Sequence, residues 1–428
     1  MLKLSDIVEE DKIDLSRLIP KNTRKGFPIE TSEDKSKIIV KAKVKRGRSP
    51  KPLMLNKFVS FDFCKFLGLF QAEGEKFLNR KGGSGFAFTN VNIKLCKLVV
   101  DSLLELGISK EEIKVRILIP SNWDKNKSEV VIKKFLKFLG LTPTSLRKNS
   151  INSRKVFFDV AENKVKIINI KNIAFVIRVG RVLFQDIILN SVEIIRKFLS
   201  KLKEFDVTSR VLACNFLSGL IMGDGTIGLG KDSKNRTNFF IEIKDPDILN
   251  LRECKKLFDK LEFNSTLDDS NPLPRLLIWR CKWDLLVWVL FKNRMLVETP
   301  FNWIKLILAI TNMQQFKRFN RLVIFKRAIT SRKISDVFNL DIKATQVWLR
   351  MKEKEGLVKR IDFIKGWGTN KVIWGLTEKG KEMQKLLIEI NEFQRRIEDT
   401  FKVNSFVEVK ELIKNNGNED LSLKVAQS

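Results

Sequence analysis

From Ser60 onward apolar residues fall at helical spacing. Phe63, Phe66, Leu67 and Phe70 stand at i, i+3, i+4 and i+7, and the run stops at Gly74. Two strand-like pieces follow, EKFLNR (75–80) and GFAFTN (85–90), around a turn holding Gly82 and Gly83. Next comes a helix, NIKLCKLVVDSLLELG (92–107), which ends at Gly107. The same order recurs downstream. A helix VLACNFLSGLIMGD (211–224) ends at Gly225, and TIGLG (226–230) and TNFFIEI (237–243) read as a hairpin around KDSKNR. A further helix, with Pro246 in its first turn, runs to about Leu261. The two repeat helices end at Glu73 and Asp224, 151 residues apart, and a repeat of element order at fixed spacing marks a duplicated unit.

Each unit continues with a strand, a helix and a basic residue. In the first these are KVKII (164–168), NIAFVI (172–177) and GRVL (180–183); in the second, RLLIWR (275–280), DLLVWVL (284–290) and NRML (293–296). Arg181 then aligns with Arg294, 113 residues on, so the first unit carries about 38 extra residues. They are expected within 121–152, which holds an amphipathic helix of its own. Residues 1–55 read as a basic N-terminal arm or linker ending in KAKVKRGRSPKP (41–52). Beyond 316 the pattern is helix (ISDVFNLD, 334–341), helix (IKATQVWLRMKEKEG, 342–356, with Asp341 as N-cap), two strands flanking GWGT (366–369), and a helix opening at LTEKGKE (376–382) with Thr377 as N-cap. Residues 401–428 read as a tail.

Length and charge narrow the picture. A chain of 428 residues needs more than one core. It carries 81 Lys+Arg against 50 Asp+Glu, a net charge of +31, and such an excess attracts phosphate polyanions. No apolar run reaches the roughly 18 residues of a membrane span, and the N-terminus lacks a signal-peptide layout. The five cysteines are scattered, with no CxxC, which speaks against a zinc site or a disulfide framework and for a reducing, intracellular compartment. The chain has no His and no Tyr. That excludes histidine-based nucleases, tyrosine nucleophiles and imidazole zinc sites. A phosphodiesterase built from this chain must work with carboxylates, hard metal ions, water and Lys/Arg.

The repeat helices carry such carboxylates. Gly68 and Ala72 stand four apart, as do Gly219 and Gly223, and small residues one turn apart let two helices meet backbone to backbone. If they pack so, Glu73 and Asp224 lie side by side at the negative ends of two helix dipoles, an arrangement that stability does not explain. A bound divalent cation does, and an all-oxygen donor set suits Mg2+.

FLGLFQAEG (66–74) and LSGLIMGDG (217–225) resemble the motif that names the LAGLIDADG homing endonucleases, and the resemblance extends over about residues 50–315. It implies that Glu73 and Asp224 hold the metals, with the carbonyls of Ala72 and Gly223 before them. The family's first Asp is replaced by Gln71 and Met222. A family Lys facing the scissile phosphates maps onto Arg181 and Arg294 as electrostatic clamps, with Lys155 and Lys282 as fallbacks. The strand pairs would form a saddle on DNA, with Lys76, Arg80, Lys81, Lys231, Lys234, Asn235, Arg236 and Asn238 as candidate contacts.

Residues 316–400 resemble the winged helix-turn-helix of MarR-type regulators. By that resemblance the second helix enters the major groove with Lys343, Thr345, Gln346 and Arg350, and the wing touches backbone with Lys365, Asn370 and Lys371.

Together these readings give an α+β chain. Two pseudo-symmetric αββαββα halves, 56–205 and 206–315, form a DNA-binding saddle, followed by a winged helix over 316–400. The expected function is a Mg2+-dependent double-strand DNA endonuclease of the intron-homing kind, acting as a monomer, cytoplasmic and nucleoid-associated, with no membrane partner. The alternatives are a regulator that binds DNA without cutting and an RNA-splicing maturase, for which RNA is the partner.

Overall fold

The computed structural model describes residues 4–34, 36–43, 51–74, 85–119, 125–152, 154–159, 164–169, 174–231, 237–270, 273–281, 300–311, 314–364 and 371–401. The described part of residues 1–55 corrects the expectation of a basic arm or linker. Strands β1 (Val8–Glu9), β2 (Lys12–Asp14), β3 (Ile29–Asp34), β4 (Lys37–Ala42), β5 (Leu53–Asn56) and β6 (Phe58–Val59) form two three-stranded sheets, β1-β2-β6 and β3-β4-β5. Alternation in β4 sends Ile38, Val40 and Ala42 inward, where they join Ile13, Leu15, Leu18, Leu53 and Leu55 in a buried core. These strands are too short for their alternation to stand out against the lysines around them. Part of the basic stretch, 44–50, lies outside the described residues.

The first unit follows as α1 (Asp62–Glu73), β7 (Phe86–Asn90), α2 (Ile93–Glu105), β8 (Ile113–Leu118), α3 (Lys125–Leu139), β9 (Leu146–Asn152), β10 (Arg154–Asp159), β11 (Lys164–Asn169), β12 (Ala174–Val179) and α4 (Val182–Lys201). Its sheet runs β7-β12-β8-β9, while β10 and β11 pair apart as a hairpin. The Asn92 side chain caps α2 by accepting from the Lys94 and Leu95 amides. Phe70 stacks on Phe86 of the sheet with ring centroids 4.9 Å apart, and Phe184 of α4 meets Phe86 edge-on at 5.6 Å, so the phenylalanines weld α1 and α4 to one sheet face. NIAFVI, expected as a helix, is instead the central strand β12. Phe175, Val176, Ile177 and Val179 are all buried there, and a strand covered on both faces carries no alternation to betray it. The expected strand EKFLNR lies outside the described residues.

The second unit comprises α5 (Val207–Asp224), β13 (Thr226–Lys231), β14 (Thr237–Lys244), α6 (Ile248–Lys260), β15 (Phe263–Asp268), β16 (Arg275–Cys281) and α7 (Pro300–Thr311), with sheet order β13-β14-β16-β15. The expected hairpin forms, with Thr226 opposite Glu242. Pro246 does not sit in the first turn of α6. The cap is Asp247, which accepts from the Leu249 amide, and Pro246 precedes it. The strands β14, β16 and β15 stand in the order that β7, β12 and β8 occupy in the first sheet. β16 therefore answers to β12 rather than to KVKII. The extra chain of the first unit falls within 119–173, between β8 and β12, against 269–274 between β15 and β16, a span that contains the expected 121–152 and extends beyond it. It contains the expected helix, α3.

The last part holds α8 (Gln314–Phe319), β17 (Ile329–Thr330), α9 (Ser331–Phe338), α10 (Ile342–Lys354), β18 (Val358–Ile364), β19 (Lys371–Leu376) and α11 (Glu378–Phe401), with a sheet β17-β19-β18. Asp341 caps α10 by accepting from the Ala344 amide, and Thr377 accepts from the Gly380 amide at the start of α11. Leu357, Trp374, Met383 and Leu387 close a core beneath this sheet. Among the described residues no helix is long and apolar enough to cross a membrane.

Candidate active site

Helices α1 and α5 are buried on every side, from Phe63 to Gln71 and from Leu212 to Met222, as befits helices packed between layers rather than upon a surface. They meet through backbone. A β-carbon on Gly68 would lie 1.9 Å from the Phe216 carbonyl oxygen. One on Gly219 would lie 2.0 Å from the Lys65 oxygen and 2.7 Å from the Leu69 nitrogen. No side chain fits there, which is why glycine stands at both crossings. At one end of the pair the Asn215 amide donates to the Phe61 carbonyl at 2.8 Å. At the other, a β-carbon on Gly223 would come 2.3 Å from Ala72 Cβ and 3.1 Å from Glu73 Cγ. The two helix tips therefore coincide. Glu73 and Asp224 are each the last residue of their helix, and the chain leaves in extended conformation at Gly74 and Gly225. Asp224 is exposed and Glu73 half-buried.

Two carboxylates thus share one end of the helix pair, beside the last-turn carbonyls that a helix cannot satisfy internally. Both the dipoles and the mutual repulsion oppose that placement. Nearby sulfur does not compete as a ligand. Cys96, whose thiol is pushed up by burial and further by the Glu73 charge, and Cys254, pushed up to about 12 by burial, are both kept protonated. Among the described residues no group of three or more Cys, Asp or Glu could hold a metal. A pair of acids is the complement that Mg2+ uses when substrate phosphate and water complete its shell. The residues present fit a hard divalent cation.

Sequence reading missed what stands behind the first tip. Gln71, 4% exposed, accepts from Arg196 Nη1 at 2.8 Å, and Arg196 Nε donates to Glu253 at 2.5 Å. Arg196 is on α4 and Glu253 on α6, so the contact joins three helices more than fifty residues apart in sequence. No local pattern signals it.

The remaining expected site residues divide sharply. Arg181 is corrected. It stands at the N-cap of α4, its guanidinium pairs with Glu112, and it donates to the Lys51 and Pro52 carbonyls at 3.3 and 3.0 Å. It fastens the N-terminal module to the first unit and is not a spare cation for phosphate. Its expected partner Arg294 lies outside the described residues, as do Lys76, Arg80, Lys81, Lys234, Asn235, Arg236, Lys282, Lys365 and Asn370. Lys231 and Asn238 fall on β13 and β14, and Lys155 falls on β10. Lys343, Gln346 and Arg350 are exposed on α10, and Lys371 is exposed at the start of β19. Thr345 is corrected too: it is fully buried, and its hydroxyl donates to the Asp341 carbonyl at 3.0 Å.

No family model matches this sequence, and no curated protein matches it. Among solved structures it is similar to nucleases of the homing class. One is I-DmoI in complex with DNA and Ca, at 14% identity, covering 54% of this chain and 87% of that one with a TM-score of 0.25. Another is the meganuclease I-SmaMI bound to uncleavable DNA, at 12% identity, covering 57% and 90% with a TM-score of 0.25. The chemistry of the site stands on its own residues.

Proposed function

We propose that this protein is a divalent-metal-dependent double-strand DNA endonuclease of the LAGLIDADG homing type, acting on a long asymmetric site. The observation that carries the reading is the glycine-mediated contact of α1 and α5, which brings Glu73 and Asp224 to one tip, against both helix dipoles and their mutual repulsion. Glu73 and Asp224 hold the cation, and the Ala72 and Gly223 carbonyls lie one residue before them. When bound, a divalent ion polarises a phosphoryl oxygen, lowers the pKa of water and stabilises the leaving oxygen. The two units act as pseudo-symmetric halves of a DNA saddle, with the hairpin β13–β14 on one side. The net charge of +31 draws the phosphate backbone to it.

Residues 316–400 act as a winged helix-turn-helix that lengthens the site. α10 offers Lys343, Gln346 and Arg350 to the major groove, and Lys371 stands at the base of the wing. The test is incubation with Mg2+ and a randomised duplex library, with Glu73→Gln/Asp224→Asn as control. Cuts made by the parent alone support the nuclease. Selective binding with no cut by either would identify a regulator instead.

A further inference from the structure

We infer that Arg196 is a positioning residue for one of the two acidic tips, and that the protein therefore cuts its two strands through unequally supported carboxylates. The inference rests on the nuclease reading above. Its basis is a difference between the helices. At the third position from the end of each, two residues before the acid, α1 carries Gln71 and α5 carries Met222. Both side chains are buried, at 4% exposure. Gln71 is anchored, because its Oε1 accepts from Arg196 Nη1 at 2.8 Å. A thioether offers only a weak acceptor, so Met222 has no comparable hold.

The anchor reaches far. Arg196 is itself only 8% exposed and is gripped on its other edge by Glu253 at 2.5 Å. Glu253 belongs to α6, in the second unit. Lys260, also on α6, caps α4 with its ammonium, donating to the Leu199 and Ser200 carbonyls at 3.2 and 2.7 Å. The second unit thus braces the last turn of the first unit's motif helix from behind. Residues two apart on a helix point to opposite sides. Gln71 accordingly faces the brace, while Glu73 faces Gly223 and the other tip.

Stability alone is a poor reason for this arrangement. A buried ion pair seldom outperforms well-packed apolar side chains of similar size, and the matching position in α5 shows that methionine packs. What a buried guanidinium held by two different acceptors supplies is a fixed orientation. Rotation of the last turn of α1 would carry Glu73 with it, and Arg196 resists that rotation. Partners behind a metal-binding group commonly change metal affinity or activity by about 10–100-fold when removed.

The test uses the full chain on a duplex site recovered from the library, with each strand end-labelled separately. First-order cleavage rates are measured at saturating protein, and Mn2+ binding to the protein–DNA complex is followed by electron paramagnetic resonance. Gln71→Met makes the first tip resemble the second. It leaves the Arg196 guanidinium buried without its acceptor, so Gln71→Met/Arg196→Met serves as the variant that restores an apolar contact. The expected result is a shift of about tenfold in the ratio of the two strand rates, with weaker uptake of one Mn2+ and unchanged DNA affinity. A strand ratio equal to the parent's in a folded double variant overturns the positioning role, as does an equal fall of both rates. A parent that neither cuts nor takes up Mn2+ sinks the nuclease reading itself, which is a different outcome.

Discussion

Gly223 and Glu73 share one volume: a β-carbon on the glycine would stand 3.1 Å from the glutamate Cγ and 2.3 Å from Ala72 Cβ. The position is therefore tied both to packing and to the aim of a carboxylate. Gly223→Ala should cost about 1–3 kcal/mol for overpacking, because Ala72 Cβ can give way only by a small shift of the helix tips, while Glu73 can turn aside. Metal-dependent cleavage by the folded variant should fall on the order of 100-fold, because a reacting centre misplaced by about 1 Å loses about that much. Urea unfolding and cleavage rates measured on the same variant separate the two. Equal, small effects on both would deny Glu73 its role.

The crossings at Gly68 and Gly219 are less forgiving. The atoms in the way are backbone, at 1.9 and 2.0 Å, and backbone cannot swing aside as a glutamate can. Gly219→Ala should force α1 and α5 apart and lower stability by more than about 3 kcal/mol, at the upper end of overpacking effects. Thermal melting of Gly219→Ala against Gly223→Ala checks the order. Similar melting points for the two would contradict the close approach.

On α10, neighbouring polar residues should give opposite results. Lys343 and Arg350 are exposed, so Lys343→Ala and Arg350→Ala should leave the melting point alone and weaken DNA binding. Each lost phosphate contact should reduce the salt slope of the binding constant by about one. Thr345 is buried and donates to the Asp341 carbonyl, so Thr345→Val should lower stability at unchanged salt slope. Fluorescence anisotropy over a salt series, paired with melting curves, reads both. A salt slope moved by Thr345→Val and not by Lys343→Ala would reverse the assignment.

What sequence alone disclosed follows from which interactions are local. The motif helices and their tips were legible because close packing demands small residues one turn apart, as at Gly219 and Gly223, and because Gly74 and Gly225 mark where each helix stops. The caps Asp341 and Thr377 were legible in the same way, since a cap acts within three residues. β12 was not legible, because Phe175, Val176 and Ile177 are consecutive apolar residues, on both faces of the strand, and fit either period. The N-terminal sheets were hidden by strands of two to six residues among lysines. Thr345 was misjudged because a hydroxyl that bonds back to its own helix turn looks the same, in sequence, as one that faces solvent. Arg181 and Arg196 show the remaining limit. Which carboxylate an arginine finds, Glu112 or Glu253, is decided by topology, and no spacing rule reports it.

Asp186 offers a prediction with a definite sign in pH. It lies on α4, 4% exposed, where its Oδ2 accepts from the Arg24 backbone amide at 3.2 Å and its Oδ1 lies 3.9 Å from Arg24 Nε. Burial pushes this carboxyl above the usual aspartate range, and the Arg24 amide, the Arg24 charge and Lys25 pull it back only in part. A carboxyl that is harder to ionise in the folded chain than in the unfolded one, where it titrates near about 3.9, binds its proton more tightly in the native state. Between those two values the folded chain holds more protons, so stability falls as pH rises through the folded value. The stabilising contribution is complete below the unfolded value and lost as pH rises through the folded one, opposite to the behaviour of a paired surface aspartate such as Asp268, which is held down at about 2 by Ser270 and Arg275. Asp186→Asn keeps an oxygen for the Arg24 amide and cannot ionise. Relative to the parent it should gain stability as pH rises above the unfolded value and level off once the folded value is passed, as followed by urea unfolding at a series of pH values. A difference that stays flat, or that shrinks toward pH 7, would mean that Arg24 satisfies Asp186 as a full ion pair and that the N-terminal module is held to α4 by charge rather than in spite of it.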